Sequence, residues 1–220
     1  MPVALHETYL AETLGLMKKP WPGNRTVNIV CHGHSVPSGY FATPVVDSFN
    51  AYPHLLHQGL KQRFPLAVIN VIVTAIGGEN SERGAARFQS EVLNHRPDVL
   101  TIDYALNDRP LGLAKARTAW TAMIEKALAA NIGVILLTPT SDITQRPGAT
   151  AEARAPLQEH AQQVRDLAAQ YGVGLCDSLD AFERYMESGD LSDVLSQSNH
   201  PNRLGHELVT RQLLRWFPAA

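Results

Sequence analysis

Residues 67–74 read Ala-Val-Ile-Asn-Val-Ile-Val-Thr and are followed by Gly77-Gly78. Eight mostly β-branched residues closed by a glycine pair fit a strand and are too short for a buried helix. Upstream, Asn50–Arg63 places Tyr52, Leu55, Leu56 and Leu60 at helical spacing, with Pro65 just beyond. Downstream, Ser81–Asn94 does the same with Ala85, Phe88, Val92 and Leu93. A short apolar strand between two helices is the repeating unit of a parallel sheet covered on both faces.

The alternation continues in both directions. Thr26–Cys31 and Asp98–Tyr104 read as strands on either side of this unit, and Val134–Thr138 and Val173–Cys176 read as two more. Leu113–Ala130, Ala151–Tyr171 and Asn202–Trp216 read as helices, the first two stopped by Gly133 and Gly172. Five strands with intervening helices make a doubly wound α/β fold with a five-stranded parallel sheet. The 220 residues therefore form a single domain, in which residues 1–25 add an N-terminal extension with a helix over Leu5–Met17. No internal repeat or linker divides the chain.

Composition agrees and excludes several classes. Apolar residues make up 45% and charged residues 18%, which supports a packed core rather than disorder. The net charge of −2 lacks the basic footprint of a nucleic-acid binder or a polybasic membrane anchor. No apolar run approaches the roughly 18 residues of a membrane span. The N-terminus is not a secretory signal as it stands, so a cytoplasmic location is expected. Cys31 and Cys176 lie in strand-like runs and read as buried thiols. The acidic stretch Asp177–Asp193 reads as a solvated helix face.

In an open parallel sheet, ligands bind beyond the carboxyl ends of the strands. The first strand leads into Gly33-His34-Ser35, the second into Gly77-Gly78-Glu79-Asn80, the third into Asn107-Asp108-Arg109, and Asn199-His200-Pro201-Asn202 precedes the last helix. A serine, a glycine turn, an asparagine and a histidine at one sheet edge are the groups acyl transfer needs. A neutral imidazole takes the serine proton, and donors wait for the oxyanion. The Ser35 and Gly78 N–H groups and the Asn107 amide are the candidate donors. The segment Pro37–Pro44, with Tyr40 and Phe41, is placed to overhang the site.

The order Ser35, Gly78, Asn107, His200 resembles the SGNH hydrolase superfamily, the GDSL-type esterases and lipases. The resemblance runs from about Val27 to Leu214, and Asn107-Asp108 and His200-Pro201-Asn202 carry most of it. It implies a flavodoxin-like three-layer α/β/α sandwich and ester hydrolysis with no metal or cofactor. It also implies Ser35 as nucleophile, His200 as base, and Gly78 and Asn107 in the oxyanion hole. Asp108 is expected to support the Ser35 loop, and His34 stands beside the nucleophile. The substrate expected is a small-molecule or carbohydrate ester, with short acyl groups such as acetate favoured because little chain is left to form a lid.

Three positions depart from the family pattern. Gly-Asp-Ser is Gly33-His34-Ser35, Gly-x-Asn-Asp is Ala105-Leu106-Asn107-Asp108, and the aspartate three residues before the histidine is Gln197. Three arrangements are then open. Ser35 and His200 work as a dyad with Gln197 or a backbone carbonyl orienting the ring; or Asp142 or Asp193 supplies the carboxylate; or the scaffold is catalytically dead and binds a carbohydrate or acyl ligand. A different chemistry is open as well, a metal-dependent hydrolase using His32, His34, Asp108 and His200, since His32 and His34 would alternate onto one strand face.

Overall fold

The structure is a computed structural model, and it describes residues 2–219. A five-stranded, all-parallel sheet has the order β2-β1-β3-β4-β5, with β1 Thr26–Gly33, β2 Val68–Val73, β3 Val99–Asp103, β4 Gly133–Leu137 and β5 Gly174–Cys176. This is the flavodoxin order, in which the winding direction reverses between β1 and β3. The helices are α1 Ala11–Met17, α2 Ser35–Ser38, α3 Tyr52–Arg63, α4 Ser81–Glu91, α5 Leu113–Ala129, α6 Ala151–Tyr171, α7 Ser178–Met186 and α8 Arg203–Leu214. No helix among the described residues is long and apolar enough to cross a membrane.

Alternation along each strand divides the core in two. Val27, Ile29 and Cys31 of β1 and Ile135 and Leu137 of β4 face a layer that includes Leu56 and Leu60 of α3, Phe182 of α7 and Leu213 of α8. Val30, Val134 and Leu136 face the other side, against Phe88 of α4, Trp120 and Met123 of α5 and Leu167 of α6. Successive side chains of a strand point to opposite faces, so strands covered on both faces become nearly continuous apolar runs. Both cysteines are buried free thiols.

Several local expectations are corrected. The run 67–74 forms β2, but β2 is an edge strand, and Val68 and Val73 stay exposed because neighbours cover only part of it. The N-terminal helix is shorter than the apolar spacing suggested. It starts at Ala11 after a set of turns, while Leu10, Leu14 and Met17 still enter the core. Gly133 opens β4 instead of stopping α5; Asn131 takes the left-handed position, at φ 57°. Asparagine is the usual substitute for glycine at such a helix end. Gly172 stops α6 as read, in a left-handed conformation.

At the carboxyl end of β1, Gly33 pairs with Asp103 of β3. A Cβ on Gly33 would run into the Asp103 carbonyl oxygen and lie 2.8 Å from the Pro37 ring. Neither neighbour is the free end of a flexible side chain. Gly33→Ala is therefore expected to lower stability by about 1–3 kcal/mol through overpacking, read as a lower urea midpoint at unchanged slope. An unchanged midpoint would show that the two strands part at no cost.

Candidate active site

Ser35 begins the four-residue helix α2 directly beyond β1 and is 6% exposed. Gly39, in the left-handed region, ends that turn and sends the chain into the 40–47 loop. His200 arrives from the far end of the sequence. It lies in the loop closed by an isolated bridge, Leu195 to Pro201, just before α8, whose N-cap is the Asn202 side chain. The Ser196 N–H donates to the His200 carbonyl at 2.9 Å and tightens this turn. The result places His200 Nε2 3.0 Å from Ser35 Oγ.

The other ring nitrogen decides the tautomer. His200 Nδ1 is 2.8 Å from the Phe41 carbonyl oxygen. A carbonyl only accepts, so Nδ1 carries the hydrogen and Nε2 presents its lone pair to the Ser35 hydroxyl. Burial holds the His200 pKa below the usual histidine value; the Phe41 carbonyl opposes this shift and nearby His34 adds to it. This direction favours the neutral imidazole that a base requires.

The three candidate donors lie on loops that the sheet makes neighbours. The Ile76 N–H donates to the Gly33 carbonyl at 3.1 Å, which lays the 76–79 turn beside the Ser35 loop. Gly78 adopts φ +74°, a conformation that suits glycine. Among the described residues, no protein group accepts from the Ser35 or Gly78 N–H. Asn107 Nδ2 donates to the Glu79 carbonyl at 3.1 Å, which uses one of its two hydrogens. The Tyr40 ring closes over this edge. A Cβ on Gly77 would sit 3.0 Å from it, and its centroid is 6.1 Å from that of His200.

The side-chain candidates for a third member go elsewhere. Gln197 Oε1 accepts from the Thr43 N–H at 2.9 Å. Asp142 pairs with Arg109 at 2.8 Å and accepts from the Thr144 N–H. Asp193 accepts from the Asp190 N–H and from the Tyr185 hydroxyl. The backbone carbonyl is the group that meets His200 Nδ1.

Asp108 differs from its expected place as a support for the Ser35 loop. Its carboxylate accepts from the Ser81 N–H at 2.8 Å and from Trp120 Nε1 at 2.7 Å, and so ties α4 to α5. Burial pushes its pKa up, against these two bonds. His34 caps α2, its Nδ1 accepting from the Val36 N–H at 3.3 Å and lying 3.4 Å from Ser35 Oγ. Its Nε2 is 3.4 Å from Asp103 Oδ1, without a well-formed hydrogen bond. His206 lies in the core, where its Nδ1 accepts from the Tyr52 N–H and burial brings its pKa down to about 3.

The proposed metal set is not gathered. His32 packs on Phe88 and Tyr104, on the α4 side of the sheet, whereas His34 turns toward Asp103, which also meets Tyr52 of α3. The strand ends at Gly33, so alternation does not carry through to His34. Thr74 Oγ1, the Gly84 carbonyl and the Tyr104 hydroxyl occupy the His32 ring nitrogens. Among the described residues, no cluster of three or more His, Cys, Asp or Glu side chains is arranged to hold a metal.

Two groups are not identified from the sequence. A backbone carbonyl is one of the orienting groups it leaves open, but a carbonyl carries no side-chain signal, and only tertiary structure shows that it is that of Phe41. Glu79 had a signal, a charged residue directly after a glycine pair at a strand end. Its carboxylate is buried against Arg87 and Tyr104.

A family model described as GDSL-like lipase/acylhydrolase matches residues 31–208. Comparison with curated protein sequences gives no match. Among solved structures, Axe2, an acetylxylan esterase from Geobacillus stearothermophilus, is 19% identical over 87% of this chain and 94% of its own, with a TM-score of 0.75. A single-residue variant of it gives 18% identity, 88% and 95% coverage and a TM-score of 0.76. LAE5, an α/β hydrolase from the metagenome of Lake Arreo, Spain, is 22% identical over 92% of this chain and 98% of its own, with a TM-score of 0.76. Axe2 has also been solved as catalytic mutants at a serine, an aspartate and a histidine, the aspartate three positions before the histidine. At such identities these likenesses establish the shared fold, and the family match covers most of the chain. The chain belongs to the GDSL-like lipase/acylhydrolase family and is a carboxylic ester hydrolase of the SGNH type.

Proposed function

We propose that this enzyme hydrolyses short-acyl esters, acetyl esters of carbohydrates foremost, through an acyl-Ser35 intermediate and a Ser35–His200 dyad. The observation that carries the reading is the 3.0 Å approach of His200 Nε2 to Ser35 Oγ, with Nδ1 committed to the Phe41 carbonyl. Ser35 Oγ attacks the ester carbonyl while His200 Nε2 takes its proton. The Ser35 and Gly78 N–H groups and the Asn107 amide receive the oxyanion. His200 then protonates the departing alkoxide and activates the water that releases the acid.

The backbone carbonyl does part of a carboxylate's work. An asparagine in place of the triad aspartate costs about 10⁴ in rate because the ring takes the wrong tautomer. A main-chain carbonyl cannot donate, so it enforces the productive tautomer. It brings no full negative charge to the imidazolium. That agrees with a catalytic role for His200 and with Gln197 at the position corresponding in spacing to Axe2's aspartate.

Short acyl groups fit the packing of Tyr40 over Gly77. A depression of about 370 Å³ lined by Ile143, Arg146, Leu191, Leu195 and Gln197 borders the stretch that leads to His200, and the alcohol part is assigned to it. Acetylated sugars are the class acted on by Axe2, as its description as an acetylxylan esterase states.

Ser35→Ala should remove at least about 10³-fold of the turnover of an activated acetyl ester with folding intact, and a chelator should leave the parent enzyme unaffected. Turnover retained in this variant, or lost with chelator, would overturn the serine mechanism. In an ester series of rising chain length, kcat/KM should be highest at acetyl and fall by butyryl. Gln197→Ala should change kcat by less than about fivefold, because its side chain does not touch His200; a loss near 10³-fold would return the acid role to position 197. For pH, the base works only when deprotonated, and burial keeps its pKa below 6.5. The acid limb of kcat/KM should therefore have its midpoint below pH 6.5, with activity rising as pH increases and level from pH 7 to 8. A midpoint above 6.5 contradicts the assignment of His200.

A further inference from the structure

We propose that Glu79 is a positioning residue that holds the two halves of the oxyanion hole in register, acting through its backbone on one side and its buried carboxylate on the other. The inference rests on the serine-esterase reading of the site. The Gly78 N–H lies in the turn after β2, and the Asn107 amide lies in the loop after β3. These segments are far apart in the chain, and hydrogen-bond catalysis of this kind tolerates little misplacement. Glu79 is where they meet.

Its backbone provides the first link. The Glu79 N–H donates to the Ile76 carbonyl at 3.2 Å and closes the turn that contains Gly78. The Glu79 carbonyl accepts from Asn107 Nδ2 at 3.1 Å. This bond fixes the plane of the Asn107 amide and leaves its second N–H for the substrate.

Its side chain provides the second link. Glu79 is 2% exposed. Arg87 Nε donates to both carboxylate oxygens at 3.0 Å, and Arg87 Nη2 donates to Oε2 at 2.5 Å. The Tyr104 hydroxyl donates to Oε2 at 3.0 Å and lies 3.1 Å from His32 Nε2. Arg87 belongs to α4, and Tyr104 stands one residue past β3 and three before Asn107. The Asn107 N–H also donates to the Tyr104 carbonyl at 2.9 Å. The carboxylate thus clamps the helix that follows the Gly78 turn to the loop that carries Asn107.

A buried ion pair is weak evidence for stability, because desolvation offsets much of the Coulomb attraction. Here its geometry serves the site. Both proposed donors are referenced to one residue that does not itself reach the substrate. This makes Glu79 separable from the donors in an experiment.

The test measures Glu79→Ala, Glu79→Gln and Tyr104→Phe beside the parent enzyme and Ser35→Ala, at a temperature where each is folded. Active sites are counted by stoichiometric reaction with a p-nitrophenyl phosphonate. Glu79→Ala should lower kcat per active site by about 10–100-fold with KM within twofold. The rate constant for phosphonylation, which also places an anionic oxygen in the hole, should fall in parallel. The acid-limb midpoint should not move, since His200 is untouched. Glu79→Gln and Tyr104→Phe, which keep the shape of the site, should each lower kcat by about 3–10-fold.

A folded Glu79→Ala with kcat within twofold of the parent overturns the proposal. So does a loss confined to thermal stability. If Glu79→Ala does not fold, unchanged kcat in both conservative variants overturns it equally. Turnover in Ser35→Ala would instead overturn the serine reading itself, so the two failures are distinguishable.

Discussion

The close approach of β1 and β3 at Gly33 and Asp103 is the constraint from which the site is built. β1 hydrogen-bonds to β2 on one side and β3 on the other, and the winding reverses beside it. Three loops therefore leave the same sheet edge as neighbours. Parallel strands deliver this without design of the loops themselves, since all their carboxyl ends lie together. Glycine at position 33 lets the serine loop lie against β3, because the space a side chain would need is already filled.

Two buried ion pairs flank this edge. Arg87 and Glu79 lie behind the turn after β2, and Arg109 and Asp142 join the loops after β3 and β4. The second connects loops that backbone pairing leaves apart. Around Ser35 and His200 themselves, by contrast, the contacts are to a backbone carbonyl and a neutral imidazole. Fixed charge is kept in the supporting layer and dipoles in the reacting layer. A neutral imidazole in that position is what burial and nearby His34 favour, against the Phe41 carbonyl.

Much of the fold was legible in the sequence because burial on both faces writes itself as short apolar runs. Val134–Leu137 and Val99–Ile102 are core on every residue but Thr101, whose side chain is buried too. β2 read the same way but is an edge strand. An apolar run reports strand propensity and does not say which neighbours cover it. Ser35, His200, Gly78 and Asn107 were legible because each follows a strand or precedes a helix at a recognisable place. The group that meets His200 Nδ1 was not. A main-chain carbonyl is present at every residue, so nothing in the identity of Phe41 marks it. Asp142 and Asp193 looked available because sequence shows carboxylates and not their partners, Arg109 and Asp190. Asp108 was misplaced for the same reason, as its partners Ser81 and Trp120 lie on separate helices.

The Phe41 carbonyl belongs to the loop that overhangs the site, next to Tyr40. When a carboxylate three residues before the histidine steers the ring, the steering group and the base travel on one loop, and the wall of the substrate pocket is free to vary. Here the steering group travels with the wall. A change that reshapes residues 40–46 for a different acyl group also moves the atom that holds the imidazole. Under the proposed mechanism, substrate preference and catalytic competence are coupled through one peptide plane.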